Sequence, residues 1–175
     1  IGALAALVGM FVVVDAAGGD RRLRLAGYRT GVVLAARLGV VAVAAIVITA
    51  ATMGVTATVF DARQWPGYIA ANLLIAAIYA LIGVVIGPLL GKVAGVFVAF
   101  LIPFLDLGII QSPMLRPIPQ EWAQFLPGYG VTRLLFDTSL TSRFDETWPL
   151  LTGFVWLGGL LIVASVVLTR GGKST

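Results

Sequence analysis

The chain has 175 residues, of which 59% are hydrophobic and 11% charged, with a net charge of +4 and a mean hydropathy of +1.02. A soluble domain is about 25% charged, so this composition excludes a soluble domain, a disordered tail and a coiled coil, and points to an integral membrane protein. With no Cys and no His, it also excludes disulfides, Cys or His metal sites, and chemistry that needs a thiolate or an imidazole.

The first apolar run, residues 1–14, opens on Ile1 and lacks the charged start of a signal peptide. A spanning helix needs about 20 apolar residues, so this run predicts a partial span, with the chain opening midway through a transmembrane helix. Residues 15–30 (DAAGGDRRLRLAGYRT) form a basic segment. Gly18-Gly19 predicts a break there, and Asp20 a cap for an amphipathic helix over Arg21–Tyr28. Complete spans are expected over residues 31–60, 67–87, 93–112 and 150–169, joined by tight loops at Asp61–Pro66 and around Pro88–Lys92. The apolar runs are continuous rather than alternating, which excludes a β-barrel pattern.

Residues 113–149 make the longest polar region, yet they are rich in Leu, Phe and Trp. Pro119 can open a helix to Leu126 with Trp122 and Phe125 on one side, Leu126-Pro127-Gly128 breaks it, and Thr132–Leu140 reads as a second short amphipathic helix. Both are expected to rest at the outer interface. The fold class is thus an all-α polytopic bundle: four complete spans, a partial first span and short outer amphipathic helices.

Lys and Arg orient it. Arg21, Arg22, Arg24, Arg29, Arg37, Lys92, Arg170 and Lys173 fall on one side, read as cytoplasmic together with the C terminus. Trp65, Tyr68, Trp122 and Trp148 fall near the opposite boundary, as an interfacial aromatic belt does. The positive charge reads as topology, so nucleic acid is not an expected partner. Ten Arg against two Lys, with abundant Ala, Gly and Val, suggest a GC-rich bacterial genome and hence a bacterial inner membrane.

Asp106 is the one acid inside a predicted span, about 20 Å along its helix. A carboxyl at that depth must face protein or a watery cavity, and Pro103, three residues earlier, permits a kink. It reads either as a pathway-lining or gating acid, or as the cap of a re-entrant element beginning at Leu107. Arg37 reads as a snorkelling side chain. Gly83, Gly87, Gly91 and Gly95 recur every fourth residue, but Pro88 and Lys92 interrupt the row, so Gly83 and Gly87 alone read as a close helix-packing face. The terminal GGKST imitates a Walker A loop but lacks its first Gly, strand and helix, so no ATP site lies in the chain.

The order of these parts, carried by GGDRRLRLAGYRTGVVLAAR (18–37), VAFLIPFLDLGIIQS (98–112) and FLPGYGVTRLLFDTSL (125–140), resembles the permease subunit of ABC-2 type transporters. The family's first span and part of its second have no counterpart here. The resemblance implies an exporter subunit without its own enzymatic activity or cofactor, ATP and Mg being held by a partner ATPase. It implies a second permease copy, identical or not, a coupling helix within residues 15–30 that docks on the ATPase through Arg21, Arg22 and Arg24, and an external gate with Trp122, Phe125 and Arg133. Rival readings are an ion-coupled secondary transporter using Asp106, and a non-catalytic assembly subunit. A membrane enzyme is disfavoured, since the usual serine and phosphatase sites need His and only one Asp lies within a span.

Overall fold

The computed structural model describes residues 1–113, 115, 121–141 and 147–170, and every regular element among them is helical. In chain order these are α1 (Gly2–Val14), α2 (Ala17–Leu25), α3 (Thr30–Thr56), α4 (Trp65–Pro103), a π-helix (Phe104–Ile110), a 3-10 helix (Glu121–Phe125), α5 (Pro127–Leu140) and α6 (Thr147–Arg170). Four helical stretches are long and apolar enough to cross a membrane: Gly2–Gly19, Thr30–Thr56, Trp65–Ile110 and Thr147–Thr169.

The stretch from Trp65 to Ile110 is a hairpin. Tyr79 and Asp106 are 27 residues apart in sequence, yet their side chains are hydrogen-bonded at 2.6 Å. A continuous helix would hold them ~40 Å apart at ~1.5 Å per residue. The chain doubles back at Gly91, the one residue in α4 with non-helical backbone angles (φ 70, ψ −175). That φ is open to glycine and strained for residues with a Cβ, so the fourth-residue glycine row hides one member that makes a turn. Pro88 sits three residues before it and continues the first leg without ending it.

α1 fills the notch of this hairpin. Running along the first leg, it brings Gly2 near Tyr79, Ala6 against Gly83, and Met10 against Gly87. From the second leg, Pro103 and Leu107 reach Gly2, and Gly95 reaches Met10. Met10, Ile78, Tyr79 and Val84 are fully enclosed as a result. Between helices in lipid there is no hydrophobic drive, so close van der Waals fit has to supply the cohesion. The predicted packing role of Gly83 and Gly87 is what the structure displays, with Gly95 added.

Two ends of the bundle are chemically distinct. At one, Lys92 beside the hairpin turn pairs with Asp15 at 3.1 Å, and Arg37 donates to the carbonyl of Ala16 at 3.5 Å. Both partners of the Lys92–Asp15 pair are 60% exposed, so the pair marks register rather than adding much stability. At the other end the Tyr68 ring meets Phe60 at a tilt and Trp65 edge-on, and the Trp65 indole donates to Asp61.

Several boundaries depart from the sequence expectations. Gly18 and Gly19 lie inside α2; the chain turns at Asp15 and Ala16 instead. Glycine weakens a helix by roughly 1 kcal/mol against Ala, which is a cost and not a prohibition. The second outer helix starts at Pro127, five residues before the expected Thr132, because Pro127 takes the first helical position where its missing N–H costs nothing. The first outer helix appears as the short 3-10 turn Glu121–Phe125, while Pro119, its expected start, lies outside the described residues. No separate element begins at Leu107, since the helix runs on to Ile110.

Candidate functional site

The candidate site is the junction of the hairpin with α5, centred on Asp106. Pro103 closes the α-helical part of the second leg, and the next seven residues take π geometry, Phe104–Ile110. Proline removes one backbone donor from the ladder. The wider register is visible where the Gln111 N–H bonds the Asp106 carbonyl, five residues back, at 2.9 Å. π segments are uncommon and occur frequently at functional sites.

This register sets the Asp106 side chain inward, 4% exposed. The Tyr79 hydroxyl donates to Oδ2 at 2.6 Å, the Gly128 N–H donates to Oδ2 at 2.8 Å, and Gln111 Nε2 approaches Oδ1 at 3.4 Å. Gln111 Nε2 also donates to the Ala123 carbonyl at 3.1 Å. The carboxyl group therefore ties the first leg and the start of α5 to the π-helix, and Gln111 adds the 3-10 turn.

Gly128 is fitted to this contact. A Cβ there would lie 2.6 Å from Oδ1 and 2.7 Å from Cγ of Asp106. The first N–H groups of a helix lack intrahelical partners and carry the positive end of its dipole. Leu126, at the cap position of α5, supplies no side-chain cap; Asp106 supplies one from 22 residues away. The capping role anticipated for Asp106 is present, but on α5 rather than on an element at Leu107.

From there α5 climbs along α4. Val131 and Leu134 join the core with Leu74, and Thr138 reaches Gly67. At its outer end the Gln64 and Arg63 N–H groups donate to the carbonyls of Thr138 and Ser139, at 2.9 and 3.3 Å. A Cβ on Gly67 would lie 3.3 Å from that of Thr138, close to the ~3.5–4.5 Å of a disulfide. In this cysteine-free chain, Gly67→Cys with Thr138→Cys is expected to form an intramolecular disulfide under mild oxidation. Loss of thiol labelling in the double variant, with full labelling of each single variant, is the check.

α5 thus begins at the level of Tyr79 and Asp106 and ends at the level of Trp65. It is packed into the bundle, in contrast with a helix lying on its outer surface. Comparison with family models, curated proteins and solved structures finds no match. The chemistry of the junction is that of a fastener, since the carboxyl's partners among the described residues, Tyr79, Gln111 and Gly128, are all hydrogen-bond donors. No group of three or more His, Cys, Asp or Glu side chains suited to a metal occurs among the described residues.

The other residues singled out from sequence lie apart from this junction. Trp122 and Phe125 sit exposed on the 3-10 turn, and the Arg133 guanidinium lies 5.7 Å from the Tyr129 ring centre. Arg22 is exposed on α2 at the Asp15 end, and Arg21 and Arg24 belong to the same helix. Tyr79, Gln111 and Gly128 were not anticipated. Tyr79 had a signal: a buried phenol needs a partner for its hydroxyl, and Tyr79 stands in an otherwise apolar stretch.

Proposed function

We propose that this chain is the permease subunit of an ATP-driven exporter of the ABC-2 type, acting as a dimer with separate ATPase subunits at its basic face. The basic face, bearing Asp15, Arg37 and Lys92, is then cytoplasmic, as is the C terminus, and the membrane is a bacterial inner membrane. The hairpin reads as two spans and α3 and α6 as one each, with α1 packed in the notch of the hairpin.

The observation that supports this reading best is α2. It joins two apolar helices at the basic end and packs lightly against α3, leaving Arg22 and Leu23 exposed and Leu25 80% exposed. A helix with both charge and leucine turned outward fits docking on a partner protein. The buried α5, fastened at Asp106, supports the second half of the reading, an outer closure that a transport cycle opens. The donors surrounding Asp106 give less support to an ion-coupled carrier, because both carboxyl oxygens are already engaged.

The test is charge reversal of Arg21, Arg22 and Arg24 to Glu in a chain co-expressed with a candidate ATPase. Membrane insertion is expected to persist while ATPase co-purification falls at least tenfold. Undiminished co-purification overturns the docking role. Transport that survives ATP depletion but not collapse of the proton gradient overturns the ATP-driven reading.

A further inference from the structure

An apolar groove of about 510 Å³ runs between α4 and α6, with α5 beside it, and its size falls within the usual range of small-molecule sites, ~300–1,000 Å³. Small residues of α4, Gly67, Ala70, Ala71 and Ala77, open the space, and Leu157 of α6 helps close its deep end. Among the described lining residues Thr138 is the one hydroxyl, and it already donates to the Leu134 carbonyl at 2.7 Å. An occupant of the groove therefore finds no free donor and has to be hydrocarbon along its length.

Its dimensions select which hydrocarbon. From Gly67 to Ala77 the lining advances ~15 Å along α4 at ~1.5 Å per residue. That is the depth of one leaflet, half of a ~30 Å hydrocarbon core. The groove starts at the aromatic end, where Trp65 and Tyr68 mark the interface, and stops near the middle of the bundle.

The mouth at the aromatic end carries a cation. The Arg63 N–H bonds the Ser139 carbonyl at 3.3 Å, which sets Arg63 beside Thr138 at that mouth, and its side chain is exposed. The neighbouring acid, Asp61, keeps its charge while accepting from the Trp65 indole, so the mouth offers a cation with an anion two residues away. A guanidinium at headgroup level above a one-leaflet hydrocarbon slot complements the phosphate of a lipid headgroup.

We propose that this groove is a binding site for a membrane glycerophospholipid, with one acyl chain lying between α4 and α6 and its phosphate held at Arg63. The lipid is a resident of the surrounding leaflet rather than exported cargo. Its chain fills the space that the small residues of α4 leave open and seals α5 against the bundle. The site does not depend on ATPase docking at α2, so either idea can fail alone.

The experiment is native mass spectrometry of the full chain, released from nanodiscs and titrated with phosphatidylglycerol or phosphatidylcholine. The unaltered chain is expected to retain one phosphatidylglycerol at activation energies that strip all other lipid. Ala70→Phe, at an exposed lining position, and Ala77→Phe, deeper in the groove, are expected to abolish that retention. Arg63→Gln is expected to weaken phosphatidylglycerol about fivefold and phosphatidylcholine, whose phosphate carries a choline cation beside it, by less. Thermal unfolding separates misfolding from ligand loss, and the exposed Ala70 site keeps the test open if Ala77→Phe does not fold. Equal retention by the folded Ala70→Phe protein overturns the groove; equal affinity of Arg63→Gln for phosphatidylglycerol overturns the headgroup contact. A disulfide-linked dimer of an Ala70→Cys variant would put a second copy in the groove and overturn the lipid.

Discussion

Replacing Asp106 with Ala is expected to destabilise the protein by about 3 kcal/mol or more, whereas Asp106→Asn should cost about 1–2 kcal/mol. Alanine leaves the Tyr79 hydroxyl and the Gly128 N–H buried with no acceptor, and each orphaned buried group costs about 1–3 kcal/mol. Part of this is recovered if water enters the space left by the carboxyl. Asparagine keeps an oxygen where both donors converge, at Oδ2, and places its amide opposite Gln111. Rotating the Gln111 amide would repair that clash but would turn its oxygen toward the Ala123 carbonyl, so one bond is lost on either choice. Unfolding in mixed detergent micelles, titrated with a denaturing detergent, measures both values. Cleavage by protease at the start of α5 supplies the local readout: Ala should expose Pro127–Tyr129 well before global unfolding, and Asn should not. Equal stability of the Ala variant and the unaltered chain would remove Asp106 as the fastener of α5.

The legible part of this fold was what depends on local composition. Long apolar runs, their approximate ends and the close-packing face at Gly83 and Gly87 follow from residue type and spacing, and the structure carries them. The hairpin at Gly91 was readable as a connection because Pro88, Gly91 and Lys92 interrupt an apolar run. What stayed hidden depends on contacts across long sequence distances. Nothing near Asp106 announces that its donors come from Tyr79 and Gly128, 27 and 22 residues away. Pro127-Gly128 looks like a helix breaker from its neighbours alone. It becomes a helix start with Pro127 at the first helical position and Asp106 receiving the Gly128 N–H that the missing local cap leaves free. The depth of α5 was hidden for the same reason: a 14-residue helix of mixed polarity fits an interface as well as an interior until its partners are known.

Gly83→Val is expected to be the most disruptive single substitution in the chain, and Gly83→Ala nearly as severe. A Cβ on Gly83 would overlap the Ala6 carbonyl oxygen and lie 2.8 Å from its carbon and 2.9 Å from the Met10 nitrogen. These are backbone atoms, so no side chain can swing aside; α1 as a whole has to move. The crossing is reciprocal, because a Cβ on Gly9 would overlap the Ala80 carbonyl oxygen and sit 3.0 Å from the Ala80 Cα. Pushing α1 out also withdraws Met10, which is fully buried and fills the space beside Gly87 and Gly95 on both legs of the hairpin. Overpacking a core typically costs about 1–3 kcal/mol when neighbours can adjust. Here they cannot, and a loss at or above the top of that range is expected for Ala, with Val failing to accumulate as folded protein. Gly39→Ala and Gly158→Ala are the matched controls, since a Cβ at either meets nothing within 4 Å. Both should be neutral or gain up to about 1 kcal/mol from better helix propensity. Because α1 touches both legs, the loss at Gly83 should appear as one cooperative transition shifted to lower denaturant. An early separate transition for α1 would mean that the hairpin holds its shape without it.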